Sequence, residues 1–186
     1  MVDLTPLRPE KCALMVVDIQ ERLMRVINDK ERVAVNASLL VKAANVLGIP
    51  VVATTQYAAR IGELVPEVTA DFNNVVPLDK MEFNCFANDS IRAAVKGLGG
   101  EINTLLICGV ETHICVYQTV QGALADGYKV WVPADAVSSR TEANRQTGLA
   151  RIAEMGATVA NTEMIIYELL HKAGTPQFKE LLPFLK

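Results

Sequence analysis

The chain has 186 residues, of which 51% are hydrophobic, 21% charged and 5% aromatic, and carries a net charge of −3. This profile fits one aliphatic-rich folded domain over residues 1–186 and excludes a disordered chain. No Lys/Arg run is longer than two, which argues against nucleic acid as a partner, and no apolar run approaches the roughly 18 residues of a membrane span.

CALMVVD (12–18) is the first apolar run and reads as a strand closing on Asp18. A short helical stretch, QERLMRV, follows. ERVAVNASLLVKAANVLG sets Val33, Leu39, Leu40, Ala43 and Leu47 on one stripe before Gly48, which predicts a helix. PVVATT (50–55) is a second strand, with Gln56 and Tyr57 just beyond it. NVVPLDK (74–80) is a third candidate strand, interrupted by Pro77; it ends at Lys80, ahead of the apolar loop MEFNCF. NDSIRAAVKGLGG repeats Ile91, Ala94, Val95 and Leu98 at helical spacing, up to Gly99–Gly100. TLLICGV (104–110) is a strand, after which Thr112 is the expected N-cap of a helix running to about Gly127. KVWVPAD (129–135) is the next strand, its Asp135 expected to cap or stabilise the following VSSR loop. SSRTEANRQTGLARIAEMG carries a capping-box pattern of Ser139 and Glu142. ATVANT (157–162) is a weaker strand, and Thr175-Pro176 starts a last helix. The strand-like runs are apolar on both faces and alternate with helices, so the fold class is a three-layer α/β/α domain with a mostly parallel sheet.

Ligands of such sheets bind beyond the carboxyl ends of the strands, so polar residues just after strands form the shortlist. Asp18 is either a site carboxylate or a cap for the next helix. Lys80 is either an ordinary solvated lysine or a partly desolvated cation. Cys115 falls in the expected first turn of a helix, where the N-terminal field lowers a thiol pKa and binds an oxyanion. His113 is not its base: on a helix, residues two apart point roughly 200° from each other. Cys12, Cys85 and Cys108 read as small hydrophobes. Without a CxxC spacing or an N-terminal signal-type segment, the four thiols are read as reduced, which places the protein in the cytoplasm. Two histidines far apart give no metal-ligand spacing, so no metal and no cofactor is expected. Gln56, Tyr57, Phe86, Ile114 and Tyr117 are candidate pocket residues.

VVDIQ, then a lysine in LDKMEFNCF, then GVETHICV resemble the isochorismatase-like cysteine hydrolases, a family that includes nicotinamidases and N-carbamoylsarcosine amidase. The resemblance spans essentially the whole chain. It implies a six-stranded parallel sheet in Rossmann-like order and a triad of Asp18, Lys80 and Cys115. It also implies a cis peptide between Val110 and Glu111 that aims the Glu111 and Cys115 amides at a substrate oxygen. TTQYAARIGELVPEV has no histidine where nicotinamidases bind metal, which points to the metal-free, amidase-like branch. The expected reaction is hydrolysis of a small-molecule C–N bond through a Cys115 thioester. Unperturbed Asp and Cys side chains differ by about 4.6 pKa units, ~6 kcal/mol, so Lys80 and the helix must depress the thiol, or burial must raise Asp18. A silent oligomeric scaffold and a thiol-redox protein pairing Cys115 with Cys85 or Cys108 are the rival readings. The apolar content points to subunit burial, and the resemblance implies a homo-oligomer, a dimer or larger.

Overall fold

The side chains of the strand Cys12–Val17 (β1), all six buried, divide by parity. Cys12, Leu14 and Val16 enter one hydrophobic layer, and Ala13, Met15 and Val17 enter the other. A strand whose two faces are both apolar needs helices on both sides, and the rest of the chain supplies them. The structure, a computed structural model, describes residues 5–99 and 101–185. After β1 come α1 (Glu21–Met24), α2 (Lys30–Leu47), β2 (Val51–Gln56), α3 (Ala58–Ile61), α4 (Pro66–Thr69), β3 (Leu78–Lys80) and α5 (Asp89–Lys96). Then follow β4 (Thr104–Val110), α6 (Tyr117–Ala125), β5 (Lys129–Pro133), β6 (Val137–Ser138), α7 (Glu142–Glu154), β7 (Thr158–Ala160), α8 (Thr162–Leu170) and α9 (Pro176–Leu181).

The layer of Cys12, Leu14 and Val16 is closed by α2, α8 and α9 through Leu40, Val41, Ile165, Ile166 and Leu181. The opposite layer is closed by α5, α6 and α7 through Ile91, Val120 and Ile152. This is the expected three-layer α/β/α architecture. The strands lie in the order β3-β2-β1-β4-β5-β7, every pairing parallel, with β6 beside the end of β4. The chain builds outward from β1 through β2 and β3, then crosses to β4 on the other flank. The carboxyl ends of β1 and β4 are therefore the switch point at which an open α/β sheet forms its crevice. Among the described residues no helix is long and apolar enough to cross a membrane.

Several elements differ from the sequence expectation. The six expected strands form the sheet's path, and a short seventh, β6, joins it because β5 stays with β4 only from Thr104 to Leu106 and then follows β7. Gly109 and Val110 are left open, and Val137 and Ser138, expected in a loop, pair with them. NVVPLDK is strand only over Leu78–Lys80, downstream of a proline that has no N–H for the ladder. α2 buries Val33, Leu40 and Ala43 as expected, together with Ala34, Ala37, Val41 and Ala44, while Leu39 and Leu47 are only partly buried; the alanines let the helix sit close to the sheet. α7 is capped by Thr141, which accepts from the Asn144 N–H at 3.2 Å, and not by Ser139. The Asp135 carboxylate accepts from the N–H and hydroxyl of Thr162, both at 2.8 Å. It thus holds the start of α8 and not the loop that follows it. Thr175 caps α9 as expected, and Gly100 lies outside the described residues.

Burial lifts three thiols from the ordinary value of 9.0, Cys12 and Cys85 to about 11 and Cys108 to about 12. An acid whose pKa is higher in the folded state holds its proton there after the unfolded chain has released it. The associated stability is full below pH 9 and is lost as pH rises from 9 towards 11, by roughly 1.4 kcal/mol per thiol per unit. The urea midpoint of the reduced protein is expected to fall between pH 8 and pH 10.5, and a flat midpoint would contradict this.

Candidate active site

Four strand ends converge at the switch point. Asp18, the residue after β1, is fully buried and has φ 54°, a left-handed conformation that Asp adopts more readily than most residues. Its Oδ1 accepts from the Thr54 hydroxyl at 2.8 Å and its Oδ2 from Lys80 Nζ at 2.6 Å. Lys80, the last residue of β3, has a side chain with no exposure at all, and its Nζ also donates to Gln56 Oε1 at 2.8 Å. Burial alone would lower the Lys80 pKa, but the Asp18 carboxylate and the nearby Cys85 and Cys115 thiols outweigh it and raise it. Asp18 is thus a buried, ion-paired carboxylate and not a helix cap, and Lys80 is a buried cation and not a solvated one.

β4 brings Cys115 to the same place. Gly109, at φ 125°, passes so close to β1 that a Cβ there would lie 1.9 Å from the Val17 carbonyl oxygen. The Val110–Glu111 peptide that follows is cis. Cys115 then sits on a wide π-helical turn, Thr112–Val116, in which the Val116 N–H reaches back five residues to the Glu111 carbonyl at 3.2 Å. Such one-turn bulges recur at functional sites. The cap of this turn is Glu111 and not Thr112. Among the described residues, the buried Thr112 hydroxyl meets no hydrogen-bond partner.

Cys115 is 6% exposed, and its thiol lies in the field of both Asp18 and Lys80. Burial raises its pKa most, the Asp18 carboxylate raises it further, and Lys80 lowers it without reversing the balance. This corrects the sequence expectation of a depressed thiol: at rest the proton stays on sulfur. Cys85 adjoins the cluster, its Sγ 3.9 Å from the Thr54 hydroxyl.

The remaining expected residues divide. Tyr57 is 39% exposed, and Ile114 and Tyr117 are partly buried beside Cys115. Gln56 is buried, its amide turned to Lys80 and, at 2.9 Å, to the Met81 carbonyl. Phe86 is 7% exposed, with its ring 5.9 Å from that of Tyr128 and its Cβ close to Gly122 of α6, so it anchors the loop after β3. His113 is turned to Ser139 through Nδ1 at 3.0 Å. Glu111 accepts from the N–H and Nε of Arg140 at 2.9 and 3.1 Å. Sequence reasoning gave no role to Thr54 or Gln20. The only trace of Gln20 was its place in VVDIQ, two residues after Asp18. Among the described residues no group of three His, Cys, Asp or Glu side chains is placed to hold a metal ion.

Residues 12–164 match the isochorismatase domain. The chain belongs to the isochorismatase family. It is 37% identical over 181 residues to the secreted isochorismatase effector Isc1 of Phytophthora sojae, covering 96% of this chain and 86% of that one. Among solved structures, the MAR1 ribonuclease of Caenorhabditis elegans superposes with a TM-score of 0.91 at 28% identity, over 97% of this chain and 92% of that one. The YcaC gene product of Escherichia coli, an octameric hydrolase of unknown specificity, superposes with a TM-score of 0.90 at 25% identity, over 99% and 92%. Isochorismatase-family proteins are generally hydrolases, and the fold here is that of their cysteine-hydrolase members.

Two outcomes follow from this geometry. Gly109→Ala is expected to cost about 3 kcal/mol by denaturant unfolding, through strain and overlap with Val17; a loss below about 1 kcal/mol would refute the close approach. Iodoacetamide should modify Cys115 ahead of the three other cysteines, which are 0% exposed. Because its pKa is raised, the thiolate fraction grows roughly tenfold per pH unit, so the rate should climb from pH 6 to pH 9; a plateau across that range would mean a preformed thiolate.

Proposed function

We propose that the protein hydrolyses an amide-like C–N bond of a small molecule, with Cys115 as nucleophile, Asp18 as proton carrier and Lys80 as electrostatic stabiliser. One observation carries this reading: a buried thiol from a third strand end lies in the field of a carboxylate and an ammonium that are hydrogen-bonded to each other. Sulfur attacks the carbonyl carbon while the thiol proton moves to Asp18. The developing oxyanion is received by the Glu111 and Cys115 N–H groups. When the tetrahedral species collapses, the C–N bond breaks and Asp18 gives its proton to the leaving amine. Water then attacks the thioester and loses a proton to Asp18; the C–S bond breaks, the acid departs, and sulfur regains its proton.

The raised thiol pKa does not oppose this sequence. Transfer from sulfur to Asp18 keeps the cluster's net charge constant and leaves Lys80 paired, now with the thiolate. The desolvation penalty set against bulk water is largely common to both arrangements.

Tyr57, Ile114 and Tyr117 form the wall we assign to the substrate, with Gln56 and Phe86 behind it. Reacting groups at most 6% exposed and a net charge of −3 favour a small organic substrate over a nucleic acid. The octameric E. coli relative supports a homo-oligomer. Four free, buried cysteines favour a reducing, cytoplasmic setting, although the Phytophthora relative is a secreted effector.

The test is ammonia release over small amides, ureides and carbamoyl compounds. Turnover is expected, with Cys115→Ala lowering it at least about 10³-fold and Lys80→Met at least about tenfold. Activity that survives Cys115→Ala would end this assignment.

A further inference from the structure

Lys80 is held from two sides, and only one of them is the triad. Its second acceptor, Gln56 Oε1 at 2.8 Å, belongs to an amide whose other end donates to the Met81 carbonyl at 2.9 Å. Reversing that amide would set an NH₂ against an ammonium and an oxygen against a carbonyl, so its orientation is fixed by its partners. The Gln56 backbone is fixed in turn by Gln20, which is 0% exposed. Gln20 Oε1 accepts from the Gln56 N–H at 2.8 Å. Its Nε2 donates to the Gln56 carbonyl at 3.2 Å and to the Gly62 carbonyl at 2.6 Å. Gln56 is also the register partner of Lys80 across β2 and β3, and the Lys80 carbonyl accepts from Tyr57 N–H at 3.0 Å.

We infer that Gln20 and Gln56 form a buried amide clamp that positions the Lys80 ammonium between Asp18 and Cys115. Both are positioning residues for the triad reading proposed above, on which this inference rests. The choice of an amide has a physical reason. The ammonium needs acceptors when buried, but a second carboxylate would divide its charge and weaken its hold on a developing thiolate. A neutral oxygen satisfies the donor and leaves the field directed at Asp18 and sulfur. The titratable groups facing Cys115 are Asp18, Lys80 and Cys85. On its own turn, His113 is engaged by Ser139, and Glu111 by Arg140.

The test uses the full-length protein, with iodoacetamide labelling at pH 8 resolved by cysteine, in Gln56→Met, Lys80→Met and the double variant. Gln56→Met is expected to slow Cys115 about tenfold and to leave Cys12, Cys85 and Cys108 within about twofold, the selectivity that distinguishes positioning from general loosening. The double variant should label no more slowly than Lys80→Met alone. An unchanged Cys115 rate in Gln56→Met, or its full effect added on top of Lys80→Met, overturns the clamp. If Lys80→Met does not fold, Gln20→Met, which touches Gln56 but not Lys80, replaces it. The same selective slowing supports the clamp, and an equal change at all four cysteines refutes it. A wild-type protein that labels selectively at Cys115 yet hydrolyses no amide would defeat the proposed reaction and leave the clamp intact.

Discussion

The contact between Lys80 Nζ and Asp18 Oδ2, at 2.6 Å with neither side chain exposed, is the constraint around which the site is built. Removing two charges from water costs several kcal/mol per ion, recovered only when the geometry is good and the remaining donors and acceptors are satisfied. Each satisfied position can be traced to a chain element. Thr54 of β2 takes one carboxylate oxygen and Gln56 at the end of β2 takes a second ammonium proton, while the Cys115 thiol, from beyond β4, feels both charges. The pair is stable in this position because four parallel strands end around it. Those strands align only because both sheet faces are covered.

The same pair sets the chemistry available to the thiol. A cysteine beside a carboxylate in a dry pocket is, by itself, a worse acid than one in water. Beside a carboxylate and an ammonium it can, in the reaction proposed above, take over the single negative charge that rests on Asp18. The wide turn at Thr112–Val116 and the glycine contact with Val17 serve this arrangement by bringing sulfur to the carboxylate without moving either strand.

The layers, the parallel sheet and the convergence of Asp18, Lys80 and Cys115 were legible in the sequence, because they rest on long-lived patterns: two-faced apolar runs, helical stripes and polar residues at strand ends. What escaped was short or dependent on a neighbour. β6 has two residues and exists only where β5 leaves β4 uncovered. The cap of α7 moved by two positions because Ser139 was engaged by His113. The thiol pKa was misjudged because the field of a helix start is visible in a sequence, whereas the depth of burial that raises the thiol most exists only once the chain has folded. Gln20 was hidden for a related reason: its partners, Gln56 and Gly62, sit on a different strand end and loop.

The parity of β1 has a consequence for how this chain can vary. Its six residues feed two separate hydrophobic layers in strict alternation, and the seventh position carries the carboxylate. Side chains there can exchange size for size. One residue added or removed between Cys12 and Val17 would turn every later side chain to the wrong layer and swing Asp18 away from Lys80. The central strand acts as a ruler of fixed length, and the position of the acid is read from its end.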